Sequence, residues 1–120
     1  MIVHPILKFA VILFLVDLLW IVSFKSLHTS VVERVQNSPF KPRFQYGIAF
    51  YLVAATVWYH LVFKKSGNTK ESALLGFGMY ATYDLTLLAL FERYPVKYAF
   101  TDILWGTFAL GLSNEIFKKL

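Results

Sequence analysis

Pro5-Ile6-Leu7-Lys8-Phe9-Ala10-Val11-Ile12-Leu13-Phe14-Leu15-Val16-Asp17-Leu18-Leu19-Trp20-Ile21-Val22-Ser23-Phe24 is an apolar run interrupted by one lysine and one aspartate. A helix rising about 1.5 Å per residue needs about 20 mostly apolar residues to cross the hydrocarbon of a bilayer. This run has that length. Three further windows, 44–63, 72–91 and 96–117, have it too. The gaps between them hold the charges and the helix breakers. Lys25, Glu33, Arg34, Pro39, Lys41, Pro42 and Arg43 fill the first, whose early part (27–35) reads as an extension of the first helix or as a segment lying along the interface. The second runs from Lys64 to Glu71 around a Gly67-Asn68 break, and the third is Glu92-Arg93-Tyr94-Pro95, with Pro95 placed at a helix start. Short connections favour antiparallel neighbours. The expected fold is therefore all-α: a polytopic membrane protein forming one antiparallel four-helix transmembrane bundle across residues 1–120.

The composition agrees. Hydrophobic residues make up 58% of the 120 and charged residues only 16%, against about 25% charged in soluble domains. Mean hydropathy is +0.57. A soluble domain of this size cannot hide so much apolar surface, so lipid is the expected surrounding. The net charge of +5 does not point to nucleic acid, because lysine and arginine sit in the polar gaps, where they meet lipid head groups. With no cysteine, the chain has no disulfide, thiolate metal site or cysteine nucleophile. The first run has a lysine ahead of it, as a signal peptide does. Asp17 and Trp20 interrupt it and no Ala-x-Ala site follows, so it is expected to be a retained helix. In a four-span topology the twelve lysines and arginines divide evenly between the two sides. The Lys64-Lys65 and Lys118-Lys119 pairs at helix ends lean the reading towards cytoplasmic termini.

All three aspartates of the chain, Asp17, Asp84 and Asp102, fall inside these windows. A carboxylate near mid-bilayer costs roughly 2.5–3.5 kcal/mol on insertion scales, so each needs a reason to be there. Counted along the helices, Asp17 and Asp84 lie about 4 Å past the middle of their spans, and Asp102 about 7 Å before the middle of its own. All three are then in the half of the membrane that holds the first and third connections. Three close carboxylates cannot all ionise cheaply. On the last helix Asp102, Gly106, Ala109 and Ser113 make a small polar strip. Gly78, Thr82 and Thr86 make a small-residue row on the third, beside a face with Tyr80 and Asp84, and Gly47, Tyr51 and Ala54 do so on the second. Such rows let helices approach closely in lipid. The expected site is a polar pocket: Asp17, Asp84 and Asp102 as cation-binding groups, Trp20, Tyr51, Tyr80, Tyr83, Trp105 and Gly106 in support, and Arg43, Arg93 and Lys97 at its mouth. The bland alternative makes each aspartate a clip, Asp17 with Trp20 and Asp102 with Trp105. His4 and His28, near span ends, read as solvated and His60 as interfacial; Trp58, Tyr94, Tyr98 and the phenylalanines read as aromatic belt and apolar packing.

The chain resembles an uncharacterised group of small four-helix membrane proteins, domain-of-unknown-function family 2177. The likeness rests on Asp17-Leu18-Leu19-Trp20, Tyr80-Ala81-Thr82-Tyr83-Asp84-Leu85-Thr86 and Asp102-Ile103-Leu104-Trp105-Gly106, and it covers nearly the whole length. It implies the four-helix fold and the same acidic residues, and supplies no activity. Where the family pattern carries an asparagine after the threonine of the middle phrase, this chain has Leu87.

The expected function is passage or exchange of a small cation or protons through the aspartates, in a homo-oligomer, because four helices enclose little volume. The alternatives are a membrane-embedded enzyme acting on a lipid through a carboxylate-bound Mg²⁺, and a scaffold subunit that transports nothing. No residue pattern names a cofactor or a catalytic group. Lysine is missing from the mid-helix positions a retinal Schiff base needs, and histidine pairs at matching depth, a glycine-rich phosphate loop and a His-Glu-x-x-His phrase are missing too.

Overall fold

The computed structural model describes residues 3–120. Five α-helices account for most of them: α1 (Pro5–Ser23), α2 (Lys25–Gln36), α3 (Phe44–Leu61), α4 (Thr69–Leu90) and α5 (Val96–Lys119), with a single 3-10 turn at Phe63–Lys65. There is no strand among the described residues. Three of the helical stretches, Pro5–Ser23, Phe44–Lys65 and Thr69–Leu90, are long and apolar enough to cross a membrane.

Local chemistry sets the ends. Pro5 opens α1, where its missing N–H costs nothing, and the His4 ring accepts from the Ile6 amide at 3.1 Å. The helix breaks at Phe24 (φ −121°, ψ 31°) and restarts as α2. The first connection is therefore largely helical. Asn37 ends α2 in the left-handed region (φ 55°), which asparagine tolerates well. The chain that follows is tied back: Glu33 accepts from the Phe40 amide at 2.8 Å and Gln36 donates to the Ser38 and Pro39 carbonyls. At the second connection the left-handed residue is Ser66 (φ 53°), not the Gly67-Asn68 pair. Gly67 serves close approach instead, since a methyl there would meet the Val62 carbonyl oxygen at 3.0 Å. Asn68 closes a capping box with Glu71 at the start of α4.

Packing runs through α5. Residue pairings descend on one helix as they climb on the other, so α5 is antiparallel to α4 (Ser72 on Leu110, Gly76 on Gly106, Tyr80 on Gly106) and to α1 (Phe9 on Phe117, Asp17 on Trp105). α1 is likewise antiparallel to α3. Helices α3 and α4 pack on α1 and α5 respectively. The core gathers Phe9, Leu13, Trp58, Ala109 and Leu110, with the Phe9 ring stacked on Trp58 at 3.9 Å. Trp58 is a core residue at 1% exposure rather than part of an aromatic belt. A second cluster seats Val31 of α2 against Tyr94 and Ala99 at the α4–α5 corner.

Helix α5 has span length but is not among the apolar three, and its burial explains why. Asp102, Ser113 and Asn114 are buried on it, facing α1, α3 and α4. Asn114 accepts from the Trp58 indole at 3.1 Å and donates to Thr69, which donates to Glu115 at 2.8 Å. The enclosed face of α5 carries these polar groups, with the Ser113 hydroxyl left without a partner, while Val96, Phe100, Leu104 and Phe108 are exposed on its other side. The outer surface has the opposite character. Leu7, Val11, Leu15, Leu19 and Val22 of α1 are all more than half exposed, as are Leu74, Leu85 and Leu104 elsewhere. An apolar surface this continuous suits lipid and not water.

The small-residue rows divide. Asp102, Gly106, Ala109 and Ser113 all lie buried against neighbouring helices. Gly78, Thr82 and Thr86 do not pack; they are exposed, with the two threonine hydroxyls bonded to the carbonyls four residues back. The packing row of α4 is Ser72, Gly76 and Tyr80 instead, two positions over from the expected glycine. Gly47 of α3 also faces open space.

Candidate functional site

Asp17 sits on the buried face of α1, four residues past Leu13, so the helix that fills the core also delivers it inward. Its Oδ2 accepts from the Tyr51 hydroxyl at 2.5 Å and its Oδ1 from the Trp105 indole at 2.6 Å. Both oxygens are supplied by neutral donors, one from α3 and one from α5. The carboxylate thus joins three helices.

The two Asp-x-x-Trp phrases interlock. Trp105 does not serve the aspartate of its own phrase; it crosses to Asp17. The Trp20 and Trp105 rings stack at 5.5 Å and 11°. In a helix, residues three apart share a face, so aspartate and tryptophan of each phrase both point at the opposing helix. Antiparallel α1 and α5 then set each aspartate opposite the other's tryptophan. The alternative pairing of each aspartate with its own phrase's tryptophan is replaced, for Trp105, by a bond across to Asp17.

Asp84 is different. It is 0% exposed, Oδ1 accepts from the Tyr94 hydroxyl at 2.5 Å, and Oδ2 has no hydrogen-bond donor. The Asp102 carboxyl lies near it. Unsatisfied buried polar atoms are uncommon, and among the described residues the Ser113 hydroxyl is the other one. Tyr94 lies in the turn between α4 and α5. Burial first, then the bond to Asp84, raise its phenol well above the ordinary value of 10.0, so it remains a donor.

Asp102 also lines a cleft of about 770 Å³ between α3 and α4, floored by Val31 and Val35 of α2. Tyr80 packs its ring over Gly106 at the back, and a methyl on that glycine would run into the ring. Tyr83 stands exposed at the rim. The expected mouth charges lie outside: Arg43 is exposed with its guanidinium 5.1 Å from the Tyr46 ring centre, and Arg93 and Lys97 are exposed on the surface. None of the three lines the cleft.

Two participants were not visible in the sequence reading. Tyr94 is a buried donor to Asp84 rather than an interfacial belt residue. His28 is half-buried, with Nδ1 2.7 Å from the Tyr98 hydroxyl and Nε2 3.0 Å from the Trp20 carbonyl oxygen, which corrects its reading as solvated. Neither has a periodic signal, because one occupies a four-residue turn and the other follows the break at Phe24. His4 and His60 are exposed. Among the described residues, no three His, Cys, Asp or Glu side chains are disposed to hold a metal ion.

Apolar helices of spanning length, an apolar exterior and polar groups tied off inside together define a helical membrane protein. The chain belongs to the family described as predicted membrane protein (DUF2177), whose model matches residues 2–116. No curated protein and no solved structure matches it.

Proposed function

We propose that α1, α3, α4 and α5 cross the bilayer as an up-down four-helix bundle, with α2 along one interface, and that the Asp84–Asp102 pair holds and exchanges a proton or a small cation in its place. One observation carries this reading: the Oδ2 atom of fully buried Asp84 lacks a donor while another carboxyl lies near it. Two neighbouring carboxylates in a dry interior repel strongly, and a shared proton or a bound cation relieves that. The cleft lined by Asp102 supplies a path to the pair from the side of the first and third connections.

Asp17 takes another part. Both of its oxygens have donors, so it acts as a latch and leaves the exchange to the other two. The cleft is open between α3 and α4, and a second copy of the chain closing it would make the working unit a homo-oligomer. The exposed Lys64, Lys65, Lys118 and Lys119 support cytoplasmic termini. The lipid-acting alternative gains less from the geometry, since among the described residues no three acidic or histidine side chains are disposed to hold a metal ion.

Proteoliposomes carrying a pH-sensitive dye test the proposal. Wild-type protein dissipates an imposed proton or cation gradient faster than empty vesicles, and Asp84→Asn abolishes the excess while keeping the thermal stability of the fold. A scaffold subunit gives no excess flux in either protein.

A further inference from the structure

Five tyrosines, Tyr46, Tyr80, Tyr83 and Tyr98 from three helices and Tyr94 from the α4–α5 turn, line the cleft, and Asp102 is its sole acidic residue among the described ones. No lysine or arginine lines it. The volume of about 770 Å³ lies within the range of roughly 300–1,000 Å³ typical of small-molecule sites. Gly47, with nothing within 4 Å of where a methyl would stand, keeps the α3 side of the mouth wide.

This lining discriminates between occupants. A hard metal ion takes six or more oxygen ligands, and one carboxylate among aromatic rings does not provide them. An anion finds no lysine or arginine in the lining itself, Arg43 lying outside it against the Tyr46 ring. An acyl chain would cover the Asp102 carboxyl without compensating it, which is costly. Tyrosine rings around a single negative group suit an organic cation, because a ring quadrupole attracts ammonium groups that shed water easily. We propose that the cleft binds an organic ammonium, a nitrogen cation dressed with alkyl or aryl groups, which enters between α3 and α4. The proposal rests on the carboxyl pair described above for its charge: a pair sharing one proton carries a single negative charge, which a monocation matches. Free hydrophobic amines and choline-type lipid headgroups share this chemistry.

The test uses whole protein in nanodiscs of phosphatidylglycerol, which contain no choline. Benzyltrimethylammonium is titrated by calorimetry, with neopentylbenzene as its uncharged isostere. The proposal expects saturable binding of the cation above that of empty discs, and none of the isostere. Tyr83 is exposed and holds no packing position, so Tyr83→Leu folds normally and weakens binding roughly tenfold, whereas Tyr83→Phe retains it. Asp102→Asn removes binding. Adding phosphatidylcholine to the discs separates the sources: competition assigns the site to the lipid headgroup, and lack of competition to a free cation. Equal binding of cation and isostere, or no saturable binding, overturns the proposal. An unchanged affinity in Tyr83→Leu does so too. Binding without gradient dissipation leaves the ligand class standing and removes the exchange reading, so the two fail separately.

Discussion

Asp17 and Asp84 are the same side chain in opposite circumstances. Asp17 receives two donors, and removing one leaves a buried charge half-satisfied. Trp105→Phe removes the indole N–H together with the ring that carries it, so a loss of at least about 1.5–3 kcal/mol is expected in detergent unfolding, from the lost bond and the lost packing on Trp20. Tyr94→Phe strips Asp84 of its single donor, with an expected cost of about 1–3 kcal/mol. Tyr94 also has a pH signature. Its phenol holds the proton more tightly when folded than at the ordinary value of 10.0. The stabilisation is complete below that value and is lost as pH rises above it, because the unfolded chain then binds fewer protons than the folded one. Unfolding followed from neutral pH to beyond 10 should show a steeper alkaline loss in wild type than in Tyr94→Phe.

At the scale of the helix, glycines separate packed faces from open ones. A methyl at Gly76 would run into the Gly106 carbonyl and meet Leu110 Cβ at 2.8 Å, while one at Gly78 meets nothing. Gly76→Ala should cost about 1–3 kcal/mol and Gly78→Ala should be neutral or stabilising by up to about 1 kcal/mol. Both are read from thermal melts in one detergent. Ser66→Gly relieves a left-handed serine and is expected to add about 0.5–1 kcal/mol. The same contrast explains what the sequence could and could not reveal. Helix ends came within a few residues, because prolines, charges and Asn68 mark them chemically. Facing was not legible on α4, where Gly76–Tyr80 and Gly78–Thr82 have the same spacing of four. Lipid removes the polarity contrast that tells inside from outside in a soluble helix, so only the partner surface decides. Helix α2 was half-visible, as a stretch that could extend α1, and the alternative pairing stayed within each phrase because nothing local says which tryptophan crosses.

On the whole molecule, the bonds of Asp17 to Tyr51 and Trp105 tie α1 to α3 and α5, and the Tyr94 turn is tied back to Asp84 of α4. Helix α5 is the axis, polar where it is enclosed, while α1, α3 and α4 present apolar surface outward. What distinguishes this from a passively stapled bundle is the donor missing at Asp84. Infrared spectroscopy of the carboxyl stretch, in a buffer whose only small cation is the proton, measures this directly. The account predicts one protonated carboxyl band at neutral pH that shifts in heavy water and disappears in Asp102→Asn, where the new amide donates to Asp84 instead. A spectrum with every carboxyl ionised, or a band indifferent to Asp102→Asn, would contradict it.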